Sequence, residues 1–178
     1  MHNAYTVWLT GLSQAGKSTL ADVIEEDIEI NWRKPCVIIG GDEVRAAIPP
    51  HLQGFDAESI SRHLRYLAFA AKMLNKKGVN AIVDCISPLA DVRTACKEII
   101  GPENFFLVYV ATPLEVCKVE DKKGIYTRTD VRNLAGVDAP FDPMGEQNAN
   151  VLTWHDKTRE DWLKEVHQFV RGMILSEY

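Results

Sequence analysis

Short runs of β-branched and aromatic residues alternate along this chain with longer segments whose apolar positions recur at helical spacing. "YTVWLT" predicts a strand, and "STLADVIEEDI" behind it a helix. "CVIIGGDEVRAAI" opens with a buried-type strand stopped by Gly40 and Gly41. "FDAESISRHLRYLAFAAKMLNKKG" predicts a long amphipathic helix. Asp56 is its N-cap, Ile60, Leu64, Leu67, Ala68, Ala71 and Leu74 form one apolar face, and Gly78 closes it. "VNAIVDCI" is a third strand, "LADVRTACKEII" a helix and "FFLVYVA" a fourth strand, with Pro113 starting the helix of "PLEVCKVE". "ANVLTW" fits a short fifth strand. The closing helix, "DKTREDWLKEVHQFVRGMI", turns Trp162, Val166, Phe169, Val170 and Met173 inward. This alternation predicts an α/β fold, a doubly wound parallel sheet with ligands beyond the carboxyl ends of its strands. Residues 121–150 break the pattern. They are rich in Gly, Pro, Asp and basic residues, show no period and are long for a connector, which predicts a lid; a disordered surface excursion is the alternative.

The first strand-to-helix junction carries chemistry. "GLSQAGKST" places Gly11, four residues, then Gly16, Lys17 and Ser18, with Thr19 behind. In that context glycines let backbone amides converge on phosphate oxygens, and the helix N-terminus adds partial positive charge. Gly11, Ser13, Ala15, Gly16, Lys17, Ser18 and Thr19 are therefore expected to hold ATP. Lys17 would reach the β- and γ-phosphates and the Ser18 hydroxyl would ligate Mg²⁺. A glycine turn that binds nothing is the alternative.

Composition narrows the picture. At 178 residues the chain has the size of a single domain spanning 1–178. No apolar run is long enough to span a bilayer and no signal-type segment opens the sequence, so a cytoplasmic protein with no membrane partner is expected. Cys36, Cys85, Cys96 and Cys117 are scattered through apolar segments, as reduced packing residues would be. A net charge of −5 argues against a nucleic-acid polymer as partner, and with it against a polynucleotide 5′-kinase.

Several further stretches resemble one family, the adenosine-5′-phosphosulfate (APS) kinases: "WLTGLSQAGKSTLA", "GGDEVR", Gly54–Phe55, "AKMLNKKGV", "ISPLADVR", "VYVATPLEVCKVEDKKGIY" and "AGVDAPFDP". They follow the family's order up to about Asp142. The resemblance implies a phosphate-loop kinase fold and transfer of the ATP γ-phosphate to the 3′-hydroxyl of a small nucleotide acceptor. That acceptor is adenylyl sulfate by family default, or a variant such as cytidine diphosphoramidate, which relatives of the family phosphorylate. ATP and Mg²⁺ are the implied cofactors, and a homodimer is allowed. The chain also departs from the family. Gly40 stands where an Asp-Gly-Asp usually begins, leaving Asp42 alone. Ile60 and His63 replace an Arg and an Asn that hold the acceptor, and Leu134 replaces a Phe that stacks on its base. Thr129-Asp130 replaces Ala-Arg, Glu120 an Arg, and the lid is about three residues shorter. A nucleotide-binding switch or a degenerate, non-catalytic phosphate-loop protein is the competing class.

Residue chemistry then assigns roles. Asp42 follows a strand end facing the loop, where it would orient or deprotonate the acceptor hydroxyl, or simply cap its helix. Arg45, one turn on, would grip an anionic group, or lie solvated. Asp84, at the end of the third strand, would replace the missing carboxylate in holding the metal, or serve as a strand-end cap. Ile86 and Ser87 would offer backbone groups to the acceptor. Phe55 would stack on its base or sit in the core. His63 would hydrogen-bond the acceptor or cap a surface turn. Lys122, Lys123, Arg128 and Arg132 make the lid basic, suited to closing over phosphates or merely keeping it soluble; Lys123 is expected to touch the acceptor.

Overall fold

The computed structural model describes residues 4–128, 132–142, 144, 150–152 and 155–175. Its spine is a five-stranded, wholly parallel sheet of β1 (Thr6–Thr10), β2 (Cys36–Gly40), β3 (Asn80–Asp84), β4 (Phe105–Val110) and β5 (Asn150–Leu152). The spatial order is β2-β3-β1-β4-β5. β1 lies centrally and is buried along its whole length, which is why it reads as a continuous apolar run. The fifth strand predicted from "ANVLTW" forms over its middle three residues; Trp154 lies outside the described residues.

Helices cover both faces. On one, α1 (Lys17–Glu26) and α6 (Arg159–Leu175) bury Leu20, Ala21, Ile24, Val166, Val170 and Met173 against Val7, Leu9, Ile82 and Val108. On the other, α3 (Ala57–Asn75) and α4 (Ala90–Ile100) bury Leu64, Leu67, Ala68, Ala71, Val92 and Cys96 against Trp8, Ala81 and Val83. The alternation of Val7, Trp8 and Leu9 between the two faces is the period-two geometry of a strand sandwiched between helical layers. α3 begins as its sequence predicts, with Asp56 accepting from the Ser59 amide at 2.9 Å, and Gly78 takes a positive φ of 75° just past its end. Beyond α1 the chain continues as a π-helical turn, Asp27–Asn31. There Asp27 accepts from Asn31 Nδ2 and meets Nδ1 of His167, each at 2.6 Å, tying α6 to α1. All four cysteines are buried free thiols, as expected of packing residues. Among the described residues no helix is long and apolar enough to cross a membrane.

Two short helices complete the frame, α2 (Gly41–Ala47) after β2 and α5 (Leu114–Val119) after β4. The described part of the segment beyond α5 folds over the carboxyl edge of the sheet and is anchored. The Asp142 amide donates to the Pro88 carbonyl at 2.8 Å, and its carboxylate accepts from the Ala90 amide at 2.8 Å. That carboxylate caps α4, whose own N-cap residue, Leu89, has no side-chain acceptor. Arg93 supports the same corner by donating to the Ser87 and Asp142 carbonyls at 2.8 and 3.3 Å. Thr129 and Asp130 lie outside the described residues.

Candidate active site

The phosphate loop joins β1 to α1 and is wound tightly. Gly11, Gln14 and Gly16 take positive φ values of 151°, 60° and 96°. A Cβ on Gly11 would stand 2.7 Å from the Val110 carbonyl, so only glycine lets the chain leave the sheet here. Ala15 packs in the core and shapes the loop from beneath. Lys17 is buried, and its Nζ donates to the Leu12 carbonyl at 2.8 Å. Burial lowers its pKa, with the Asp84 carboxylate as the leading opposing influence.

The loop forms one wall of a cleft of about 1610 Å³ at the carboxyl ends of the strands. Ser13, Gly16, Lys17, Ser18 and Thr19 line its donor end; Gly11 and Ala15 do not reach its surface. Asp42, Arg45, Phe55, His63, Asp84 and Ser87 line it too, as do Ile86, whose carbonyl accepts from Thr10 Oγ1 at 2.6 Å, and Lys122, Lys123, Arg128 and Arg132 from the segment beyond α5. The residues singled out from the sequence thus converge from segments far apart in the chain.

Several of them are arranged in ways the sequence does not disclose. Ser18 Oγ donates to Asp84 Oδ2 at 2.6 Å. In the parallel register Asp84 is the partner of Gly40, so the carboxylate absent from β2 stands one strand over at the same level. A hydroxyl and a carboxylate side by side at the head of the phosphate loop are hard oxygen donors that fit Mg²⁺, which takes few protein ligands and completes its shell with water and phosphate oxygens. Among the described residues no group of three or more His, Cys, Asp or Glu side chains is placed to hold a metal ion.

At the acceptor end, Asp42 is not the cap of its helix. Helix α2 starts at Gly41 with Gly40 in the capping position, and the exposed Asp42 carboxylate pairs with Lys123 Nζ of the lid at 3.5 Å. The backbone sets this up, because a Cβ on Gly41 would crowd the Asp84 carbonyl and Cys85 Cβ at 3.1 Å each, and glycine lets α2 start against β3. Arg45 is held rather than solvated. It donates to the Gly54 carbonyl at 3.0 Å and lies over the Phe55 ring at 4.8 Å. Phe55 is largely exposed, which removes the core alternative, although Arg45 already occupies part of its surface. His63 is 5% exposed, which removes the surface-turn alternative, and its Nδ1 has no hydrogen-bond partner among the described residues. Burial, then the Arg45 guanidinium, holds the imidazole below its usual pKa, so it is neutral near pH 7.

Ser87 offers less than the sequence suggests. Its hydroxyl accepts from Trp8 Nε1 at 3.0 Å and its carbonyl from Arg93, while a positive φ of 42° turns the chain back toward α4. Ile60, Glu120 and Leu134, three of the departures noted above, also line the cleft. Two contacts went unassigned in the sequence: Tyr126 OH donates to the Ser13 carbonyl at 2.8 Å, and Thr112 Oγ1 to the Ala15 carbonyl at 2.7 Å. Tyr126 belongs to the quoted "KKGIY" tract, but nothing in the sequence says that its hydroxyl reaches the loop.

Comparison with known proteins agrees with this geometry. The family model described as adenylylsulphate kinase matches residues 3–152. An adenylyl-sulfate kinase of Phocaeicola vulgatus is 38% identical over 139 residues, 76% of this chain and 67% of that protein. One from Gloeothece citriformis is 35% identical over 166 residues, 92% of each. The solved APS kinase of Mycobacterium tuberculosis, in complex with AMPPNP and APS, superposes with a TM-score of 0.84 at 28% identity, covering 98% of this chain and 99% of that one. The sheet order, the phosphate loop and these matches together show that the chain belongs to the adenylylsulphate kinase family.

Proposed function

We propose that this chain transfers the γ-phosphate of ATP to the 3′-hydroxyl of adenylyl sulfate. The carrying observation is a single cleft lined by Lys17 and the Ser18–Asp84 pair together with Asp42 and Arg45. Phosphoryl transfer asks mainly for alignment and for charge against the developing negative oxygens. Lys17 supplies that charge by leaving the Leu12 carbonyl for the phosphates, and the loop amides cradle them. Ser18 and Asp84 would hold Mg²⁺, which offsets phosphate charge when bound. Asp42 accepts the proton of the attacking hydroxyl, after Lys123 shifts from it toward the phosphates. Arg45 and His63 grip the acceptor, His63 through the Nδ1 that lacks a partner. The whole chain is read as one domain acting in the cytoplasm, where its thiols would stay reduced.

A second acceptor is favoured by one observation: Ile60, Leu134 and the neutral His63 line the end where the family carries an Arg, a Phe and an Asn. The test is ATP consumption and product identification with adenylyl sulfate and with cytidine diphosphoramidate. Turnover with adenylyl sulfate supports the reading, turnover with the cytidine compound alone redirects it, and slow ATP hydrolysis unaffected by either returns the chain to a nucleotide-binding switch.

Two variants probe the ends of the cleft. Asp84→Asn is expected to raise the Mg²⁺ concentration needed for half-maximal rate, and to weaken Mg²⁺-dependent ADP binding in calorimetry. An unchanged requirement would leave Asp84 as a hydrogen-bond acceptor for Ser18. Arg45→Ala is expected to raise the acceptor KM by about 10- to 150-fold, the equivalent of about 1.5–3 kcal/mol for a lost charge-assisted contact, with the ATP KM unchanged. Equal increases in both would instead indicate a general disturbance of α2.

A further inference from the structure

The geometry of the phosphate loop points to a support that its own sequence does not contain. Three of its six residues from Gly11 to Gly16 have positive φ, and one of them, Gln14, is not glycine. Such a residue persists only where its surroundings over-determine it. The loop's amides can face a phosphate only if its carbonyls are held facing away. The carbonyls of Leu12, Ser13 and Ala15 each accept a hydrogen bond from a side chain: Lys17 Nζ at 2.8 Å, Tyr126 OH at 2.8 Å and Thr112 Oγ1 at 2.7 Å. The first is temporary, since Lys17 is the group that must turn to the phosphates. The other two come from distant chain, Thr112 just past β4 and Tyr126 beyond α5, and they flank the strained Gln14 on either side.

Both donors are themselves fixed. The Thr112 carbonyl accepts from Cys117 Sγ at 3.6 Å, and the Thr112 side chain is buried. Tyr126 closes a tight turn in which its amide donates to Asp121 Oδ2 at 2.7 Å and the Gly124 amide donates to the Asp121 carbonyl at 3.2 Å. Gly124 has a positive φ of 63°, which that turn requires. Burial raises the phenol's pKa, so the hydroxyl keeps its proton and remains a donor throughout the working range.

We propose that Tyr126 and Thr112 are positioning residues for the donor phosphates, holding the Ser13 and Ala15 carbonyls outward so that the loop amides stay aimed into the cleft once Lys17 has left Leu12. Neither lines the cleft. The proposal rests on the ATP-site reading above, and the donor-side KM is where it shows. Tyr126→Phe removes one oxygen and leaves the ring. It is expected to weaken ADP binding in the presence of Mg²⁺, measured by calorimetry, by roughly 3- to 10-fold, the size of one lost neutral hydrogen bond. The ATP KM should rise by a similar factor, with the acceptor KM and the melting temperature close to wild type. Thr112→Val should repeat the pattern; should it not fold, Tyr126→Phe decides alone. Wild-type ADP affinity in Tyr126→Phe would overturn the proposal, as would parallel losses of ADP and acceptor affinity with a fall in melting temperature, the signature of a merely structural tyrosine. Lys17→Ala separates the two levels of inference. If it abolishes ADP binding while Tyr126→Phe binds normally, only the support role fails. If the wild-type protein itself binds no ADP, the ATP-site reading fails as well.

Discussion

Lys17→Ala is expected to lower kcat/KM by about a hundred- to a thousandfold while leaving the fold in place, the loss typical of removing one group that stabilises transition-state charge. The position of the side chain explains why the effect falls on chemistry. Lys17 is buried at the head of α1, and the hydrogen bond its ammonium makes among the described residues is to the Leu12 carbonyl within the same loop. Its charge is held there at a desolvation cost, which lowers the ammonium pKa, so alanine removes a buried charge together with its hydrogen bond and the two effects on stability oppose each other. A melting temperature near wild type with collapsed turnover and weakened ADP binding is the expected combination. Wild-type turnover would mean that the triphosphate is held elsewhere, and a large fall in melting temperature would mean that Lys17 serves the fold. Steady-state kinetics and calorimetry on one preparation distinguish these results.

The sequence disclosed this site unevenly, and the reason is physical. Local features were legible: the strand-glycine-helix junction at Gly11–Ser18, the Asp56 cap, the apolar face of α3 and the order of alternating elements are all set within one or two turns of chain. Contacts chosen by strand register or tertiary packing were not. That Asp84 stands beside Gly40 depends on how β2 and β3 pair, and a one-residue slip would point it to the other face. His63 was equally compatible with a surface turn until the packing of α3 against α2 buried it. The family resemblance supplied the expectation that Asp42 and Arg45 matter, but the pairing of Asp42 with Lys123 and of Arg45 with Phe55 required coordinates. The capping of α4 by Asp142 likewise joins residues 52 positions apart in the chain, a relation invisible to periodicity.

Asp42→Asn is expected to lower kcat by about 10²- to 10⁴-fold, the range contributed by a positioned general base, with ATP affinity nearly unchanged. Asparagine keeps the shape of the side chain and one oxygen acceptor but cannot take the proton of the acceptor hydroxyl. The structure narrows the competing explanations. Since α2 begins at Gly41 and Gly40 occupies its capping position, the substitution removes no helix cap. Among the described residues the ion pair it breaks is the contact between Asp42 and Lys123 at 3.5 Å, between side chains that are mostly exposed, and such a pair contributes little to stability. Losing it also frees Lys123 from the acceptor end, so a role limited to restraining that lysine would leave kcat unchanged or raise it. The base assignment predicts the opposite sign. Lys123→Ala provides the complementary measurement: it should leave proton acceptance by Asp42 intact and act mainly through phosphate binding, raising the ATP KM more than it lowers kcat. If Asp42→Asn instead retains full kcat, Asp42 serves only to hold the lid lysine, and the proton leaves the acceptor by another route.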